Sequence, residues 1–91
     1  TGVSGDVADK IGNILLAMEK NMQVITITHL PQMASKGGNH LFVYKSDTKD
    51  KTTSSIKSLT KDERVAEIAK MLSTGMPTET AIKNAKELLN A

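Results

Sequence analysis

The run Gln23-Val24-Ile25-Thr26-Ile27-Thr28-His29-Leu30-Pro31-Gln32 constrains this chain more than any other stretch. Val24, Ile25 and Ile27 alternate with β-branched threonines, and branched side chains favour the pleated, extended backbone. No charge or glycine interrupts the run before the polar pair Thr28-His29. Pro31 has no N–H to donate and suits the first turn of a helix. The expectation is a strand over 23–28, apolar on both faces as parallel strands covered by helices are, followed by a loop histidine and a helix. In open α/β sheets ligands sit outside the carboxyl ends of the strands, which makes His29 the leading candidate for function.

The segments on either side fit an α/β fold. Before the run, Val7, Ile11, Ile14, Leu15 and Met18 recur at helical spacing and predict a helix from Asp6 to Asn21. Asp6 and Lys20 suit the two ends of its dipole. Gly12 weakens that helix by about 1 kcal/mol relative to alanine, so its place there implies close packing against a neighbour. After the run, Leu30 to Lys36 reads as a short helix closed by Gly37-Gly38. His40 to Ser46 and Thr52 to Leu59 then read as strands joined by the polar turn Asp47 to Lys51, a hairpin at a sheet edge.

Thr60-Lys61-Asp62-Glu63 is a capping box for a helix lined by Val65, Ile68, Ala69 and Leu72. Pro77 and Thr78 open a last helix, with Ala81, Ile82, Ala85, Leu88 and Leu89 apolar. The polar hairpin is a poor neighbour for a strand apolar on both faces, and Thr1 to Gly5 reads as a loop. Both features lead us to expect a piece of a larger domain.

Composition narrows the classes. With 91 residues the chain holds one small domain or part of one. Hydrophobic residues at 38% and charged residues at 24% are ordinary for a globular chain. Without cysteine there is neither a disulfide framework nor a thiolate metal site. No apolar run approaches the roughly 20 residues that span a bilayer, so no membrane association is expected. Phe42 and Tyr44 are the only aromatics, too few for a platform that stacks bases.

Two roles stand open for His29: a polar donor aimed at a ligand in the strand-end crevice, or a histidine satisfied by loop carbonyls. His40 reads as an exposed residue at a strand start. The two histidines lie eleven positions apart with no carboxylate cluster nearby, which is poor spacing for a metal site. Backbone N–H groups of Thr1, Gly2, Val3, Ser4 and Gly5 can approach a phosphate or a partner, though a plain turn accounts for them equally. No G-x-x-x-x-G-K-[ST] loop is present, so the chain alone offers no grip on a nucleotide triphosphate. Lys45, Lys49, Lys51, Lys57 and Lys61 gather around the hairpin, diluted by Asp47, Asp50 and Asp62 into a solvated face. The five methionines are expected to fill gaps in the core.

Taken together, Thr1-Gly2-Val3-Ser4-Gly5-Asp6-Val7-Ala8 and Ile25-Thr26-Ile27-Thr28-His29-Leu30-Pro31-Gln32-Met33-Ala34 resemble the C-terminal end of the RecN family of bacterial DNA repair proteins. Phe42-Val43-Tyr44-Lys45 and Glu63-Arg64-Val65-Ala66-Glu67-Ile68-Ala69-Lys70-Met71-Leu72 carry the same likeness, which covers essentially the whole chain. That family is similar to the structural-maintenance-of-chromosomes proteins: an ABC-type ATPase head divided by a long coiled coil, acting in double-strand break repair.

The resemblance implies an α/β fold, one lobe of a P-loop or ABC-type head, with helices on a small sheet that has a parallel core strand and an edge hairpin. Thr1, Gly2, Val3, Ser4 and Gly5 would form the D-loop facing a second head across the nucleotide. Ser4 stands about where many relatives carry an aspartate. His29 would be the switch histidine at the γ-phosphate. ATP and Mg²⁺ would serve the intact protein, with no cofactor and no ATP hydrolysis expected of this fragment alone. The implied partners are the rest of the head, a second head in a homodimer, and DNA, in the bacterial cytoplasm at the nucleoid. The rival reading is a non-catalytic module that binds protein or DNA through its hairpin and last two helices.

Overall fold

Helix α1 spans Gly5–Met18 in the computed structural model, which describes residues 5–90. It is followed by α2 (Pro31–Ala34), β1 (Leu41–Asp47), β2 (Thr52–Ser58), α3 (Lys61–Leu72) and α4 (Glu79–Leu89). The α1 helix stops sooner than its apolar spacing predicts. Residues 19–21 continue only as turns, Glu19 N–H donating to Leu15 and Leu16 and Asn21 N–H to Met18. Lys20 therefore lies beyond the last helical turn.

Small residues decide how α1 meets α2. Ala8 and Gly12, one turn apart, are its buried positions. A Cβ on Gly12 would lie 2.9 Å from Lys36 Cγ, closer than a side chain permits, and in ordinary contact at 3.5 Å with the Gln32 carbonyl oxygen. The glycine that costs helix propensity thus permits the approach the sequence implies. Lys36 then reaches along α1 to Asp9, at 3.0 Å. Ile11, Ile14, Leu16 and Met18, on the rest of α1, are exposed.

The core lies between α3 and α4. Val65, Ile68, Ala69, Ala81 and Ala85 are buried together, with Ala34 of α2 and Met71, Leu72, Leu88 and Leu89 packed against them. Thr60 caps α3 by accepting from the Glu63 N–H at 3.2 Å, while the Glu63 carboxylate accepts from the Thr60 N–H at 3.0 Å, so the capping box forms in both directions. Gly75 turns the α3–α4 connection at φ 107°, a left-handed conformation that glycine adopts without strain. Thr78 then caps α4 by accepting from the Ala81 N–H at 3.1 Å.

The two strands form an antiparallel sheet with Val43 opposite Ile56 and Asp47 opposite Thr52. The Thr48 N–H and hydroxyl both donate to the Lys51 carbonyl, and the Thr52 hydroxyl donates to Asp47. Phe42 and Tyr44 stack on one face, 6.0 Å apart. On the other face Leu41, Val43 and Ile56 are exposed. The helices therefore pack on one another rather than on the hairpin. The hairpin is held at its base, where the Leu59 N–H donates to the His40 carbonyl at 2.9 Å and Lys57 pairs with Glu63 at 2.9 Å.

Two further expectations need correction. Residues 23–29 form neither strand nor helix, and the described residues contain no parallel pair. Instead of being apolar inside, Ile25 is 79% exposed and Ile27 is 99% exposed. A strand exists only with a ladder partner, and the hairpin strands use theirs on each other. Met18, Met22 and Met76 are exposed and Met33 is half-buried beside Thr28, so only Met71, packed against the core, takes the gap-filling place expected of all five.

Candidate functional site

The chain at His29 is fixed by hydrogen bonds of the residues on either side of it. On the near side, the Thr28 hydroxyl accepts from the Leu30 N–H at 3.0 Å, folding the chain back over His29 in a short side-chain turn. On the far side, the Leu30 carbonyl accepts from the N–H groups of Met33 and Ala34, and buried Pro31 takes the first position of α2. Leu30 itself is extended, with φ −99° and ψ 121°, so the β-prone run carries straight into the helix. The imidazole is left exposed.

The start of α1 lies beside this turn. A Cβ on Gly5 would stand 3.0 Å from the Gln32 side-chain amide, three residues past His29. The structure thus brings one end of the glycine-rich segment 1–5 to the loop that carries His29. Thr1, Gly2, Val3 and Ser4, the remainder of the expected D-loop, lie outside the described residues.

Arg64 holds the other end of α2, and the sequence reading missed it. From α3 its Nη2 donates to the carbonyls of Ala34 at 3.1 Å, Ser35 at 3.2 Å and Gly37. Helix ends leave carbonyls without partners, and a single guanidinium nitrogen gathers these three. Burial lowers the Arg64 pKa, but arginine remains a cation throughout the working range. Its Nε is buried with no protein partner. The signal was present in Glu63-Arg64-Val65, where an arginine directly precedes the first buried residue of a helix. Its partners, about thirty positions earlier, were not visible there.

His40 is half-buried rather than exposed, because Arg64 and the Leu59 turn close over the base of the hairpin. It lines an open cleft of about 330 Å³ with Asn39, Lys61, Arg64 and Leu89, and its Nδ1 is buried without a protein partner. Desolvation, with the nearby Arg64 charge, lowers the His40 pKa from its ordinary 6.5, and Glu67 opposes part of that shift. The Glu63 carboxyl is held down to about 2 by the Thr60 N–H first, then by Lys57 and the Thr60 hydroxyl. Among the described residues no group of three acidic or histidine side chains is arranged to hold a metal ion.

These shifts set the acid response. Because the folded-state pKa of His40 is depressed, the unfolded chain binds the extra proton as pH falls below 6.5. Stability is intact above that value and declines through the window beneath it. The Glu63 contribution holds above its ordinary 4.5 and fades only as pH falls towards 2, so the earlier decline belongs to His40. Thermal unfolding is expected at a lower temperature at about pH 5.5 than at neutral pH, with His40→Gln shrinking the difference. An equal drop in the variant would clear His40 of the effect.

Fold and site together define an α/β chain in which a β-prone run without a strand partner ends at an exposed histidine, beside the first turn of a helix. No family model matches the chain. It is 40% identical over 90 residues to DNA repair protein RecN of Vibrio cholerae, and 42% identical over 89 residues to those of Rickettsia conorii and Bacillus subtilis. These alignments take in 98–99% of the chain but only 16% of each relative, so the chain spans about one sixth of their length. The chain matches the C-terminal part of RecN over nearly all of its own length. Among the described residues no helix is long and apolar enough to cross a membrane.

Proposed function

We propose that this chain is the C-terminal lobe of a RecN-like ATPase head that acts in DNA double-strand break repair. The observation that carries the reading is the match to RecN across 98–99% of the chain. In this reading residues 1–5 form the D-loop facing a second head, and the run 23–28 is a core strand whose neighbours belong to the rest of the head. Leaving Ile25 and Ile27 in water forgoes about 1.5–3 kcal/mol for each, a large reason for this surface to be covered.

His29 supplies the chemistry. Phosphoryl transfer is catalysed mainly by positioning and by charge stabilisation, so one well-placed donor counts heavily. The exposed imidazole, on a turn fixed by Thr28 and Pro31, fits a hydrogen bond to a γ-phosphate and the orientation of an attacking water. The P-loop that would hold ATP and Mg²⁺ is not in this sequence, so the chain contributes a donor and not the nucleotide grip. DNA and a second head are the partners this reading assigns to the intact protein. The rival interaction module would need a sheet complete within the chain, and the unpaired run at 23–28 speaks against it.

The test is an exchange of segments. The matched 89 residues of the Bacillus subtilis protein are replaced by this chain, and ATP turnover is compared with that of the same protein lacking the segment. Turnover restored by the exchange is the expected result. A folded hybrid that binds ATP without turning it over would overturn the assignment.

A further inference from the structure

We propose that Arg64 is a positioning residue for His29, acting through the far end of α2. This rests on the reading of His29 as the γ-phosphate donor and adds a second residue to that site. The α2 helix has only four residues, too few to hold its own geometry, since a first helical turn is unfavourable in isolation. Its beginning is the His29 turn. Its end is the carbonyl group of three that Arg64 Nη2 binds from α3, across 27 to 30 positions of sequence. Between those ends Ala34 packs into the α3–α4 core, and Lys36, just beyond, pairs with Asp9 of α1. The guanidinium is thus the polar tie between the helix pair that carries the core and the short helix that aims His29.

Without the clamp, three carbonyls lose a charged donor and α2 is free to tilt about Leu30. A displacement of about 1 Å at a reacting group costs on the order of 100-fold in rate, so a lever this short reaches the chemistry. Lysine keeps the charge on a compact ammonium but loses the planar fork, and restores the tie only in part.

The test uses the hybrid protein with four variants: Arg64→Met, Arg64→Lys, His29→Ala, and His29→Ala with Arg64→Met. Arg64→Met is expected to lower kcat about 10-fold to 100-fold while leaving the KM for ATP unchanged, because the nucleotide is gripped elsewhere. Arg64→Lys is expected to fall between, and adding Arg64→Met to His29→Ala should cost nothing more. If Arg64→Met fails to fold, Arg64→Lys carries the same comparison against a His29→Ala background. Full kcat in the folded Arg64 variants overturns the inference while leaving His29 in place. An equal loss with and without His29 also overturns it, since Arg64 would then act elsewhere. If His29→Ala itself turns over normally, the reading of His29 fails first and this inference falls with it.

Discussion

Replacing His29 with alanine in the hybrid is expected to slow ATP turnover by about 100-fold to 1,000-fold, the usual cost of removing one preorganised donor from a charge-stabilising site. The effect belongs in kcat. In the proposed role the imidazole contributes little to gripping the nucleotide in the ground state, and an interaction made mainly in the transition state lowers kcat and kcat/KM together. His29→Gln keeps a side-chain N–H donor and is expected to retain part of the rate. Because the ring is exposed and the turn is held by Thr28, Leu30 and Pro31, neither substitution should disturb the fold. Steady-state kinetics at saturating ATP check this, and turnover unchanged in His29→Ala would remove the residue from the mechanism.

The second large effect concerns stability. Among the described residues Ile68 is the largest fully buried side chain, in a cluster with Val65, Ala69, Ala81 and Ala85. Ile68→Ala is expected to cost about 2–5 kcal/mol, from lost transfer energy and from the cavity it leaves. The alanines around it cannot move to fill the gap, while the longer Met71, Leu72, Leu88 and Leu89 packed against the cluster set how far it can close. A domain of this size has roughly 5–14 kcal/mol in total, so the variant sits close to unfolding. Urea unfolding of the 91-residue chain, followed by far-ultraviolet circular dichroism, measures the loss. A change below about 1 kcal/mol would show that the α3–α4 contact is not the core.

What could be read from the sequence was local. The Thr60–Glu63 box lies within one turn, and its four residue types name their own hydrogen bonds. The hairpin and the purpose of Gly12 were legible for the same reason: each depends on a short pattern and a simple steric rule. Arg64 and His40 were hidden because their environment is made by elements far apart in sequence. Arg64 finds its carbonyls about thirty positions away, and His40 is half-buried beside the turn at Leu59 and the helix after it. The run at 23–28 is the instructive middle case. Its β-branched residues announce a strand, yet pairing belongs to two segments at once, and the described residues give this run no partner. The position of His29 after that run was legible, while the clamp that steadies its helix was not.

The bareness of Ile25 and Ile27 has a cost in the cell. Left uncovered, such an uncharged, β-prone run offers open N–H and C=O groups to any similar run it meets. Bare copies would become clients for chaperones or seeds for aggregation, so in the proposed head the cover over this run would guard against misassembly as well as complete a sheet.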